Sequence, residues 1–142
     1  MSPDLQAGVT FEWRYTIPER VTVPNLYHDT AFCREMPDVL ATGYMVGLME
    51  LACVNGIMRF MDWPREQSLG TMVNFRHLAP TPHGMTLHIR GEVIEVDGRR
   101  IMFRVEAWDA LDKIAEGTHE RMVILPERFN VKLAQKKARL PA

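Results

Sequence analysis

Thr42, Glu50 and His77 are the side chains in this 142-residue sequence whose types together suit hydrolytic chemistry. A hydroxyl becomes nucleophilic when a neighbouring base takes its proton, and an imidazole titrates in the right range to be that base. A carboxylate completes such a set by holding the ring's tautomer and orientation. Glu50 stands out first, as the one charged side chain between Asp38 and Arg59, inside the run LATGYMVGLMELACVNGIM. That run has the period and length of a buried helix, where a carboxylate is costly to desolvate without a partner. A titratable group at a desolvated spot is a candidate for catalysis.

Each residue also has a plainer reading. Thr42 is placed to cap a helix, His77 to be an ordinary polar strand residue, and Glu50 to form an ion pair with Arg59 or Arg121. Thr42 and Glu50 are about two turns apart on one helix, near enough in angle to flank a common cleft. Nothing local shows that His77 faces them. His28, His83, His88 and His119 have no comparable setting and read as ordinary polar residues. With no HxxxH, HExxH or Cys/His cluster, neither a metal site nor a cofactor is expected.

The elements that must position these groups follow from the patterning. Val9–Thr16 alternates Phe11, Trp13 and Tyr15 as a strand would. Prolines 18 and 24 then punctuate an irregular, lid-like stretch through Tyr27, Phe32 and Met36. Pro37 and Asp38 lead into the helix, with Asp38 or Thr42 as possible caps. Met45, Leu48, Met49, Ala52, Cys53, Gly56, Ile57 and Phe60 form one apolar face. The other side, Gly43, Val46, Gly47, Glu50 and Val54, is hardly polar, so the helix is expected to be buried on most sides. Glycines 43, 47 and 56 suggest close approach by another backbone or a ligand.

Beyond Pro64 the period becomes two. Strands are expected at Thr71–Leu78, Thr86–Val96, Arg99–Trp108 and Lys113–Leu125, with Asp97-Gly98 as a hairpin turn. The order is strand, long helix, then four strands in meander. A sheet with one solvated face must cover the other, and the helix is the only apolar cover available. The fold class is therefore α+β, an antiparallel sheet wrapped around one long central helix: the hotdog arrangement.

Composition bounds the rest. A hydrophobic content of 46%, 25% charged residues and a net charge of −1 describe an ordinary globular chain with no general pull toward nucleic acid. One domain over residues 1–142 is expected, ending in a basic tail (126–142) with Arg128, Lys132, Lys136, Lys137 and Arg139 against Glu127. That tail reads first as a solvated helical or frayed terminus, and second as a rim that attracts ligand phosphates. Val39–Met61 is long enough to suggest a membrane span, but Glu50 at its centre costs roughly 3 kcal/mol on insertion scales. No membrane association is expected. Cys33 and Cys53 form no CxxC pair, and the N-terminus lacks the basic start and apolar run of a signal peptide, so a reducing, cytoplasmic setting is expected.

The strings ATGYMVGLMELAC, SLGTMVNFRHLAPTPHGM and GTHERMVILPERFNVKLAQKK resemble the fluoroacetyl-CoA thioesterase family of the hotdog superfamily, from about Val21 to Lys137. The resemblance implies that Thr42, Glu50 and His77 form the catalytic set. It also implies that Gly70 lends a backbone N–H near the thioester carbonyl and that Arg121 helps position the active-site groups. The lid and acyl pocket would involve Val23, Leu26, Cys33 and Met36. The fluoroacetyl-specific enzyme carries phenylalanines at the positions matching Cys33 and Met36, so the resemblance implies thioesterase chemistry without the same lid.

The reading is a hotdog acyl-CoA thioesterase that releases a carboxylic acid and free CoA from a short or modest acyl-CoA, at least dimeric, with CoA entering only as substrate. Either Thr42 attacks with His77 as base and Glu50 orienting the ring, or Glu50 attacks or activates water while Thr42 donates a hydrogen bond. The alternatives are a hotdog hydratase or dehydratase, which usually carries its histidine before or at the start of the central helix, and a non-catalytic acyl-CoA-binding module, which needs no Thr-Glu-His set.

Overall fold

The computed structural model describes residues Met1–Ala142. Strand β1 (Thr10–Thr16) is followed by a short helix α1 (Val23–Leu26), a 3₁₀ turn (Ala31–Glu35) and the long helix α2 (Thr42–Ile57). Four strands follow: β2 (Gln67–His77), β3 (Thr86–Asp97), β4 (Arg100–Trp108) and β5 (Lys113–Ile124). Helix α3 (Pro126–Ala138) occupies the basic tail.

The strands form one antiparallel sheet in the order β1-β3-β4-β5-β2. The expected four-strand meander is thus realised only for β3, β4 and β5. Strand β2 pairs with β5, not with β3, and becomes the outer edge. The prolines at 80 and 82 and Gly84 (φ 90°) carry the chain across the fold rather than through a hairpin. Strand β2 also starts four residues before the expected Thr71, because Gln67 and Ser68 pair with Ile124 and Val123.

Helix α2 lies on the concave face of the sheet. Met45, Leu48, Met49, Ala52, Cys53 and Ile57 pack on Leu87, Ile89, Val93, Ile101, Phe103 and Val105 in a single core. Gly56 is required there, since a Cβ would collide with the Phe11 ring. Only this side of α2 is covered. Thr42, Gly43, Leu51 and Asn55 are exposed on the other side, so the expected burial all round is not met within one chain. No helix is long and apolar enough to cross a membrane.

Candidate active site

Helix α2 begins at Thr42, and the preceding residue, Ala41, offers no capping side chain. Neither Asp38 nor Thr42 caps it. The Thr42 hydroxyl instead lies 2.8 Å from Nδ1 of His77, the last residue of β2. Two anchors hold this junction. The lid segment bridges the chain before α2 through Thr22 and Leu40, with the Ala41 N–H donating to the Val21 carbonyl. On the far side, the Leu78 N–H donates to the Ile114 carbonyl and fixes the end of β2.

The His77 ring is half-buried, and its Nε2 is shut off from solvent without a hydrogen-bond partner. Desolvation pushes its pKa below the ordinary imidazole value, partly opposed by the Ala79 backbone. A neutral ring beside a hydroxyl is the protonation state a general base needs. Thr42 and His77 open onto a shallow depression of about 330 Å³, lined also by Val23, Val39, Leu40 and Pro80. Of the expected lid residues, Val23 is the one that reaches it. Leu26 is half-buried in α1, Cys33 is buried at 7% exposure, and Met36 and Phe32 face outward at 44% and 70%.

Glu50 is not part of this pair. Eight residues at the helical rise put it about 12 Å along the axis from Thr42, too far for the two side chains to bond each other. It is also less buried than its sequence context implies, keeping 34% of its side-chain surface because it sits on the uncovered side of α2. Its Oε1 lies 3.3 Å from Nη1 of Arg121, which settles the expected ion pair in favour of Arg121 over Arg59. Gly70 lies directly beneath this carboxylate: a Cβ there would collide with Glu50 Oε1. The β2–β5 register shifts between Gly70 and Met72, so a bulge marks the strand at this point.

Arg121 is itself buried. Its Nε donates to Ser68 Oγ at 2.8 Å, Nη2 to the Ser68 carbonyl at 2.7 Å, and Nη1 faces both Glu50 and Nε2 of His119. Burial lowers the guanidinium's pKa, opposed chiefly by the Glu50 charge, and it remains protonated. His119 and Ser68 were not among the expected site residues. A signal for His119 existed: on a strand of period two it shares a face with Arg121, two residues away. Ser68 had none, since its contribution is partly a backbone carbonyl.

The structure therefore gathers the expected residues into two clusters, Thr42 with His77 and Glu50 with Gly70 and Arg121. A sequence model of the family described as fluoroacetyl-CoA-specific thioesterase matches residues 21–127. The chain belongs to that family. It is 43% identical over 136 residues to the fluoroacetyl-CoA thioesterase of Streptantibioticus cattleyicolor, covering 96% of this chain and 97% of that protein. A solved structure of a fluoroacetyl-CoA thioesterase superposes with a TM-score of 0.89 at 42% identity, over 96% of this chain and 98% of its own. A hypothetical protein of Thermus thermophilus, a thioesterase superfamily member, gives 0.84 at 27% identity over 98% and 97% of the two chains. This chain is thus a hotdog-fold acyl-CoA thioesterase. The hydratase and pure binding-module alternatives fall away with that assignment.

Proposed function

We propose that this thioesterase hydrolyses a short or modest acyl-CoA at a site completed by two copies of the chain, Thr42 and His77 from one and Glu50, Gly70 and Arg121 from the other. The observation that carries this reading is the separation of Thr42 from Glu50 along one helix. Both cannot close on one thioester carbonyl within a chain, but two α2 helices packed antiparallel about a two-fold near Val46 would set each Thr42 opposite the other's Glu50. The neighbouring Gly47 has open space where a Cβ would lie, as a close helix crossing requires. The surface around it suits such a contact: Leu51, Leu69 and Val73 are 47%, 41% and 48% exposed, and β2 offers a long unpaired edge.

In this site Nδ1 of His77 accepts the Thr42 hydrogen, which leaves the ring proton on Nε2. Thr42 attacks the thioester carbonyl as His77 takes its proton, the partner subunit's Glu50 supporting the imidazolium that forms; the C–S bond then breaks and the thiolate of CoA leaves with that proton. Water then releases the acid by the reverse proton path. The Gly70 N–H stabilises the developing oxyanion. A second route has Glu50 as the attacking group, and the position of Gly70 directly under the Glu50 carboxylate favours it. Neither route draws on a cofactor, and the two unpaired cysteines suit a reducing cytoplasm.

A relative solved with fluoroacetate and CoA bound supports an acyl-CoA as the substrate class. The deciding assay is thiol release from a panel of acyl-CoAs by wild type and Glu50→Gln. Turnover is expected on short acyl chains and lost in the variant, with the fold intact. A Glu50→Gln enzyme with near-normal rates and lowered stability would reduce Glu50 to a structural ion-pair partner.

A further inference from the structure

His119 is the one histidine with no exposure, and the reaction as proposed does not use it. It projects from β5 into the core, its ring 6.0 Å from that of Phe75 and 6.1 Å from that of Phe103, the latter nearly stacked. Both ring nitrogens are engaged. Nδ1 lies 2.7 Å from the Met72 carbonyl, which has no hydrogen to give, so the ring must donate there. Nε2 lies 3.1 Å from Nη1 of Arg121, which has no lone pair to give, so the ring must accept there. These two neighbours together permit one form only, the neutral ring protonated at Nδ1.

That form has a consequence for Glu50. The Nη1 group of Arg121 is shared between His119 Nε2 and Glu50 Oε1, while the rest of the guanidinium is clamped by Ser68. His119 therefore sets where Nη1 points, and Nη1 sets where the carboxylate rests above Gly70. A proton on Nε2 would remove the acceptor from Arg121 and bring a second cation to within 3.8 Å of Glu50.

We propose that His119 is a positioning residue of this thioesterase, a neutral Nδ1-protonated acceptor that holds Arg121 in register with the Glu50 carboxylate. The inference rests on the proposed role of Glu50. Burial favours the required state by pushing the ring's pKa below its ordinary value, and the Arg121 charge adds to it. The Met72 carbonyl, Glu50 and, more weakly, Glu120 oppose the shift. Cys53 on α2 lies within electrostatic reach of Arg121 and Glu50, and burial keeps its thiol protonated.

Two substitutions separate this role from a packing role. An asparagine amide can reproduce the Nδ1 donor to Met72 but leaves nothing at the Nε2 position. A glutamine amide extends to the Nε2 position with an oxygen that accepts from Arg121, and gives up the bond to Met72. His119→Asn is expected to lower kcat by up to about a hundredfold, the scale of a misplacement near 1 Å. KM should stay within about threefold, because substrate contacts are untouched. His119→Gln should restore most of that loss. Equal loss in both variants, better rates in the asparagine than in the glutamine variant, or normal rates in both would overturn the proposal.

Imidazole ¹⁵N shifts of the wild-type enzyme provide a readout that needs no variant to fold. They should show the Nδ1-protonated neutral form of His119 across the range where the enzyme is active. An Nε2-protonated or charged ring in that range overturns the proposal by itself. Glu50→Gln measured alongside keeps the two readings apart. An active Glu50→Gln sinks the role of Glu50, whereas an inactive one beside fully active His119 variants sinks only the positioning role of His119.

Discussion

Gly70 and Glu50 exclude each other's elaboration: the carboxylate occupies the space into which any side chain at position 70 would grow. The nearest obstructing atom is the tip of a flexible side chain, which can move, while the buried His119 ring, whose Cε1 would lie 3.2 Å from the new methyl group, must give by a few tenths of an ångström. Gly70 does not have the left-handed backbone that would forbid alanine. The strand should therefore tolerate the change while the carboxylate does not keep its place.

Gly70→Ala is accordingly expected to separate stability from activity. Thermal melting should shift by no more than a few degrees, the scale of about 1 kcal/mol in a domain of this size. kcat/KM should fall by about tenfold to a hundredfold, because the displaced carboxylate and the crowded N–H act on the same carbonyl. An alanine variant with full activity would show that neither group needs its present position.

The bond between Thr42 and His77 makes a prediction about pH. His77 acts as a base only when neutral, and its folded pKa lies below the ordinary 6.5 because the ring is desolvated. The neutral form thus persists to lower pH than for a free imidazole, and the acid limb of kcat/KM should fall below pH 6.5. His77→Ala and Thr42→Ala should each reduce kcat by about 10²- to 10⁴-fold, the usual worth of general base catalysis. Thr42→Ser keeps the hydroxyl and should keep much of the rate. Equal losses in the serine and alanine variants would assign Thr42 to packing, and an acid limb above pH 6.5 would put the working base elsewhere.

A site shared between copies predicts complementation. Thr42→Ala and Glu50→Gln homodimers should each be nearly inactive. Mixed dimers carry one site that joins the intact Thr42 of one chain to Glu50 of the partner subunit, so mixing and exchanging subunits should recover activity approaching a quarter of wild type, by counting one good site in the half of dimers that are mixed. A monomer in light scattering that retains activity, or mixtures that stay inactive after proven exchange, would return the site to a single chain.

The sequence made the elements legible because their periods are unambiguous. The alternation of Ile101, Phe103, Val105 and Ala107 marks β4, and the three-and-four spacing from Met45 to Ile57 marks α2, both as found. Sheet order was not legible, since the local pattern of β2 is the same whether it pairs with β3 or β5. The types of the site residues were readable, but their grouping was not. Thr42 and Glu50 share a helix, which suggested a common cleft, yet their partners come from opposite ends of β2. The Arg121 network depends on Ser68 and His119, and distance across a sheet register is not written in local spacing.

The lid bears on the choice of acyl group. Cys33 is packed away beneath it, while Met36 and the neighbouring Phe32 face outward in the single chain. A small thiol and a flexible thioether stand where the fluoroacetyl-specific relative is expected to place two rigid rings, and a thioether adapts to many shapes rather than gripping one. Phe32, exposed over 70% of its surface, does not fill the missing ring's place. Discrimination by one small group in an apolar pocket reaches about 10–200-fold even when packing is tight. This lid should fall at the low end, with activity on several short acyl-CoAs and only a weak preference for fluoroacetyl-CoA over acetyl-CoA. Comparing kcat/KM for these two substrates tests it, and a Cys33→Phe, Met36→Phe double variant should increase the preference if the rings act as proposed. A preference of several thousandfold in the wild-type enzyme, beyond the roughly 200-fold available to such a pocket, would mean that another part of the site reads the fluorine.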